Sequence, residues 1–280
     1  MAATEPRPRI TMQDIDGVML RTAFWAARQD EGKRPLLFFN GIGANLELTH
    51  ALGDMFPDRD IITFDVPGVG KSPVTQWPYR PWMLARWARK LLDQFGIDEV
   101  DVMGVSWGGA LAQQFAFQYR NRVGKLILCA TTAGMTMVPG KPKSLSKMVD
   151  ARRYTDPNYM RDNFSTLYGD EADAQAGEHI TRLMPPDPKG YVFQLLAFIG
   201  WSSLPFIRFL RMPVLVMMGD NDSIVPLANG HILKVALPNS RLHIVEGGGH
   251  LFLVTRADET ASVIRGFLEE PHEFQGKAAA

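Results

Sequence analysis

Residues 102–112 read Val102-Met-Gly-Val-Ser-Trp-Gly-Gly-Ala-Leu-Ala112, and this stretch decides the fold class. Ser106 sits between Gly104 and Gly108 in a Gly-x-Ser-x-Gly pentapeptide. An apolar, β-branched run (Val100, Val102, Met103) leads in, and a helix-like run (Ala110 to Tyr119) leads out. A serine on a sharp strand-to-helix turn is held in a strained backbone conformation, and small residues two before and two after keep that turn free of clashes. The turn lifts the hydroxyl above the sheet, where a histidine can reach it and the helix start offers unpaired N–H groups. Ser106 is therefore the expected nucleophile.

Outward from this turn, short apolar segments alternate with helical ones. Ile10–Gln13 and Val18–Ala26 flank Asp14-Ile-Asp-Gly17 and predict a β-hairpin. Leu36–Phe39, Ile61–Phe64, Lys125–Leu128, Val214–Met218 and Leu242–Val245 are further strands. Pro81–Phe95 has helical periodicity, with Trp82, Leu84, Trp87, Leu91 and Leu92 on one face, and a last helix is expected over about 257–268. Such alternation predicts an α/β protein with a mainly parallel, eight-stranded sheet and helices on both faces. It breaks between about Thr131 and Arg211. That stretch carries Pro139-Gly-Lys-Pro-Lys143, the break Pro185-Pro-Asp-Pro188 and many aromatic residues, and reads as a helical cap inserted after the sixth strand. The expected organisation is a core over 8–130 and 211–270, a cap over 131–210 and a disordered polar tail over 271–280.

Composition narrows the function classes. The 280 residues carry 30 Lys+Arg against 30 Asp+Glu, so no net field recruits nucleic acid or an anionic membrane. Cys129 is the only cysteine, ends an apolar run and reads as a buried small hydrophobe. The N-terminus has no apolar signal region, and a cytoplasmic protein is the expectation. Tyr191–Leu210 approaches bilayer length, but Gln194, Gly200, Ser202, Ser203, Pro205 and Arg208 interrupt it. A broken pair of short helices over an apolar cavity is expected there, not a membrane span. No metal or phosphate motif is present: His-Glu-x-x-His, paired Cys-x-x-Cys and Walker loops are all missing. Neither a cofactor nor a metal is expected.

A serine hydroxyl needs a general base. His250 follows Glu246-Gly-Gly-Gly249 and precedes Leu251-Phe-Leu253, which puts it on a loop between a strand and the final helix. That is the base's place when the chain order is nucleophile, acid, base. His243 alternates with apolar residues in a strand and reads as structural; His50, His179, His231 and His272 read as surface residues. The orienting acid is Asp220 or Asp222, directly after Val214–Met218; either carboxylate could equally cap the helix starting near Pro226. The oxyanion needs two aimed donors. The Trp107 N–H, just after the nucleophile, is one, and the loop Asn40-Gly-Ile-Gly43 supplies the other through Ile42 N–H.

These residues together resemble the α/β-hydrolase fold. Longer strings are more specific: Phe39-Asn-Gly-Ile-Gly-Ala-Asn-Leu-Glu47, Phe64-Asp-Val-Pro-Gly-Val-Gly70, Gly104 to Phe115, Met137-Val-Pro-Gly-Lys-Pro-Lys143 and Gly249-His-Leu-Phe-Leu253. Over roughly residues 8–268 the chain resembles the intracellular poly(3-hydroxyalkanoate) depolymerases of the medium-chain-length type. The resemblance maps Ser106, Asp222 and His250 onto nucleophile, acid and base, and favours Asp222 over Asp220. It implies ester hydrolysis of a hydrophobic polyester, with a granule surface as partner. Asn40, Phe193, Phe198 and Trp201 are the candidate substrate-binding residues. A general carboxylesterase or lipase shares every catalytic residue. A 3-hydroxyacyl transacylase is disfavoured because no histidine begins a His-x-x-x-x-Asp signature. A granule-coating protein without chemistry is the remaining alternative.

Overall fold

A computed structural model describes residues 8–29, 31–150, 152, 158–163 and 181–271. The eight strands are β1 (Arg9–Ile15), β2 (Val18–Trp25), β3 (Leu36–Phe39), β4 (Ile61–Phe64), β5 (Val100–Val105), β6 (Val123–Cys129), β7 (Val214–Gly219) and β8 (Ser240–Val245). They form one sheet in the order β1-β2-β4-β3-β5-β6-β7-β8. Only the β1–β2 and β2–β4 pairs are antiparallel. This is the α/β-hydrolase architecture expected from the sequence.

The parallel strands are apolar throughout because both sheet faces are covered. Side chains alternate along a strand. Leu37 and Phe39 therefore join one core with Leu91, Leu111 and Phe115, while Leu36 and Phe38 join another with Phe252, Ile264 and Phe267. Cys129 is fully buried in the second core. Burial pushes its thiol pKa up, which removes it as a reactive group.

Three local readings change. The hairpin turn is the two residues Asp16-Gly17, both at positive φ (56° and 79°), and Ile15 pairs Val18 directly. Asp-Gly in a two-residue turn of this kind matches the strands' right-handed twist, so β1 extends further than the four-residue turn implied. Helix Pro81–Gln94 buries Leu84, Trp87, Leu91 and Leu92, but Trp82 is 52% exposed. Five residues of helix, about 500° of rotation, place Trp82 roughly 140° from Trp87. The expected helix pair near Tyr191–Leu210 is one helix, Pro188–Ala197, followed by a single 3-10 turn, Ile207–Phe209. Asp187 caps that helix by accepting from Lys189 N at 2.8 Å and Gly190 N at 3.1 Å, so Asp187-Pro188 is a start signal rather than a break.

Helix Pro142–Val149 and helix Pro188–Ala197 lie in the excursion between β6 and β7. Among the described residues no helix is long and apolar enough to cross a membrane. His179, His272 and the tail beyond Pro271 lie outside the described residues.

Candidate active site

Strand β5 ends at Val105 and the next helix begins at Trp107, which leaves Ser106 alone at the corner with φ 55° and ψ −120°. A non-glycine residue in such a conformation costs on the order of 1–3 kcal/mol and persists only when its surroundings fix it. Three hydrogen bonds do so. Ser106 N donates to Cys129 O at 2.8 Å, and Ser106 O accepts from Gly109 N at 2.9 Å and Thr131 Oγ1 at 2.7 Å. The flanking glycines are required by space. A Cβ on Gly104 would lie 2.3 Å from Gly108 O, and one on Gly108 would lie 2.2 Å from Phe39 O.

The tip of this turn meets two loops from the same sheet edge. His250 Nε2 lies 3.0 Å from Ser106 Oγ, and His250 Nδ1 lies 2.7 Å from Asp222 Oδ2. The other carboxylate oxygen, Asp222 Oδ1, accepts from Ile224 N at 2.8 Å and Val225 N at 2.9 Å. Asp222 thus caps its own turn and orients the imidazole at once; the two roles weighed for it are compatible. Asp222 and His250 are each 6% exposed, whereas Asp220 faces solvent.

Trp107 opens its helix, so its backbone N–H has no acceptor within that helix. Opposite it runs Asn40-Gly-Ile-Gly43, close enough that a Cβ on Gly41 would sit 3.9 Å from the Ser106 Cβ. Asn40 shapes this loop: its Oδ1 accepts from Gly41 N at 2.9 Å and its Nδ2 donates to Asn45 O at 3.3 Å. Behind it, Leu46 N donates to Asp65 Oδ1 at 2.8 Å, and Arg21 bridges Asp65 at 3.2 Å and Glu47 at 2.7 Å. Burial pushes the Asp65 carboxyl up to about 7 against the pull of Arg21. Burial also works to raise Glu47, but hydrogen bonds from Arg21 and Asn45 bring it down to about 2.

The cap candidates separate. Phe198 lines a cavity of about 300 Å³ with Ser106, Trp107 and Leu195 in its wall. Its ring stands edge-on to both Trp107 (centroids 5.0 Å apart) and Trp201 (4.9 Å). Trp201 supports it from behind and donates its indole N–H to Gln114 Oε1 at 2.6 Å. Phe193 is not brought to the cavity; it is core, 8% exposed and edge-on to Tyr79. Polar residues were the harder reading. Gln194, seen in the sequence only as an interruption of an apolar run, is 1% exposed; its Oε1 accepts from Gly43 N at 2.9 Å and its carbonyl from the Trp107 indole at 3.0 Å. A glutamine in the apolar run Tyr191–Ala197 is its one signal. His50, expected on the surface, is half-buried in the wall of a second cavity. Among the described residues no group of three or more His, Cys, Asp or Glu side chains could hold a metal ion.

A model of the alpha/beta hydrolase fold matches residues 34–169. The poly(3-hydroxyalkanoate) depolymerase of Ectopseudomonas oleovorans is 42% identical over 273 residues, covering 96% of this chain and 95% of that one. The chain belongs to the poly(3-hydroxyalkanoate) depolymerase family of α/β-hydrolases. It is an ester hydrolase by that membership. The 2-hydroxymuconate semialdehyde hydrolase of Pseudomonas putida is 31% identical, over 76% of this chain and 78% of its own. Among solved structures, an esterase from Exiguobacterium antarcticum superposes with TM-score 0.79 at 17% identity, covering 92% of this chain and 98% of that one. The enol-lactonase from Burkholderia xenovorans does so with TM-score 0.73 at 20% identity, over 93% and 100%. At such identities these two likenesses speak for the fold alone.

Proposed function

We propose that this protein hydrolyses medium-chain-length poly(3-hydroxyalkanoate) through an acyl-enzyme on Ser106. One observation carries the reading: Ser106, His250 and Asp222 are joined by contacts of 3.0 and 2.7 Å, and Ser106 opens onto an apolar cavity. Ser106 Oγ attacks the ester carbonyl carbon while its proton passes to His250 Nε2, and Asp222 holds the imidazole in the tautomer that can receive it. The Trp107 and Ile42 N–H groups receive the oxyanion. Collapse breaks the carbon–oxygen bond to the alcohol, and His250 returns the proton to that oxygen. Water, deprotonated by the same histidine, then frees the acid and restores Ser106.

The segment over 131–210 acts as the cap of this site. Met135 and Ile199 stand both in the cavity wall and on the surface, 62% and 55% exposed. An apolar rim of this kind suits an insoluble polyester, so a granule surface in the cytoplasm is the proposed place of action. The test is release of 3-hydroxy acids or oligomers from amorphous medium-chain polyester granules, with Ser106→Ala alongside. Rapid turnover of short soluble esters with none from granules would make the protein a general carboxylesterase. Full activity in Ser106→Ala would remove the site itself.

A further inference from the structure

Two cavities meet the relay, and they differ in which catalytic group they hold. The cavity of about 300 Å³ has Ser106 in its wall and not His250. A second, of about 340 Å³, has His250 and Asn40 in its wall and not Ser106. Its remaining wall includes Ala51, Leu253 and Met103. Phe38, Leu52 and Met103, all lining the second cavity, belong to one core, whereas Trp107, Phe198 and Val225 of the first cavity pack with the core on the other sheet face. Each volume is at the small end of the ligand-pocket range, enough for a fragment rather than a long chain.

We propose that the second cavity is the subsite for the alcohol side of the scissile ester, and that it takes the alkyl arm of that unit. This rests on the reading of Ser106 and His250 given above. The proton balance assigns the sides. The acyl carbon becomes bonded to Ser106 Oγ, so the acyl unit stays in the cavity walled by Ser106. The leaving oxygen must take its proton from His250 Nε2, so the unit attached to that oxygen runs along the His250 wall.

Asn40 is engaged on both amide atoms, and the Thr49 hydroxyl donates to Leu46 O at 2.6 Å. What this cavity offers an occupant is apolar surface from Phe38, Leu52, Met103 and Leu253, which suits an alkyl arm.

Two octanoyl esters test this, differing only in their alcohol: ethanol and 1-octanol. In the unmodified protein kcat/KM for the octyl ester exceeds that for the ethyl ester by at least about tenfold; equal values overturn the proposal. Ala51→Phe and Leu253→Trp, filling the cavity from two segments, each reduce that ratio at least about tenfold, while Leu195→Trp instead reduces the preference for octanoyl over acetyl esters of 1-octanol. An unchanged alcohol ratio in a filled variant that melts as the parent does, or a changed acyl preference there, overturns it. Failure of the polyester reading is separate: it shows as no product from granules, whatever the alcohol preference on soluble esters.

Discussion

The side chain of Gln194 accepts the backbone N–H of Gly43 at 2.9 Å, fixing the loop that carries Ile42 to the helix Pro188–Ala197. The Gln194 carbonyl holds the Trp107 indole at 3.0 Å, so one residue of that helix touches both arms proposed to bind the oxyanion. Removing an oxyanion donor outright costs about 10²–10³ in kcat. Gln194→Leu keeps the carbonyl that holds the Trp107 indole but unclamps the loop that carries Ile42, and is expected to lower kcat by about tenfold to a hundredfold with little change in KM. Gln194→Glu keeps an acceptor for Gly43 and restores part of the loss. Steady-state kinetics on one soluble ester decides it; a KM effect alone would mean that Gln194 only packs.

Asp222→Asn retains a carbonyl oxygen for Ile224 N and Val225 N but turns a donor toward His250 Nδ1. The imidazole then sits in the wrong tautomer, and kcat falls by about 10⁴. Asp220→Asn, on an exposed carboxylate of the same turn, leaves kcat where it was. Single-turnover rates for the pair check both outcomes.

Gly108→Ala places a methyl 2.2 Å from Phe39 O and 2.4 Å from Asn40 O, both backbone atoms that cannot rotate away. Strain of that kind typically costs about 1–3 kcal/mol, here where the Ser106 turn meets the loop after β3. Thermal denaturation is expected to show the loss, together with reduced kcat in whatever folds.

Glu47 is held down to about 2 by Arg21 and Asn45 against the effect of burial. A lowered carboxyl pKa stabilises the fold above the unfolded value of about 4.3, and that contribution is lost as pH falls toward 2. The carboxylate is 31% exposed, so solvent screening reduces the benefit to about 1–2 kcal/mol. Glu47→Gln is expected to be less stable than the parent at pH 7 by that amount, and the two converge near pH 2. Urea denaturation at stepped pH measures the difference.

What could be read from the chain and what could not divide by sequence distance. Ser106 was legible because its turn is dictated by neighbours two residues away, and His250 because a glycine loop marks it. Asp220 and Asp222 were harder to separate: which one turns inward depends on backbone bonds to Ile224 and Val225 that side-chain chemistry does not encode. Gln194 was unreadable as a clamp because Gly43 and Trp107 lie far from it along the chain. Aromatic content alone could not sort Phe198, at the cavity, from Phe193, in the core. His50 shows the converse: a helix-like context predicts a solvent-facing ring, yet the residue is half-buried in a cavity wall that it shares with His250.

Leu126 stands opposite Val214 and Cys129 opposite Met217, so the chain leaves the sheet and rejoins it at adjoining strands. Closing such an excursion costs only about 0.6 kcal/mol more for each doubling of its length. Lineages can therefore rebuild the stretch between these two strands with little penalty to the sheet that carries Ser106. The exception is wherever that stretch grips the sheet's edge, as Gln194 does at Gly43 and Trp107, because there its freedom to diversify ends.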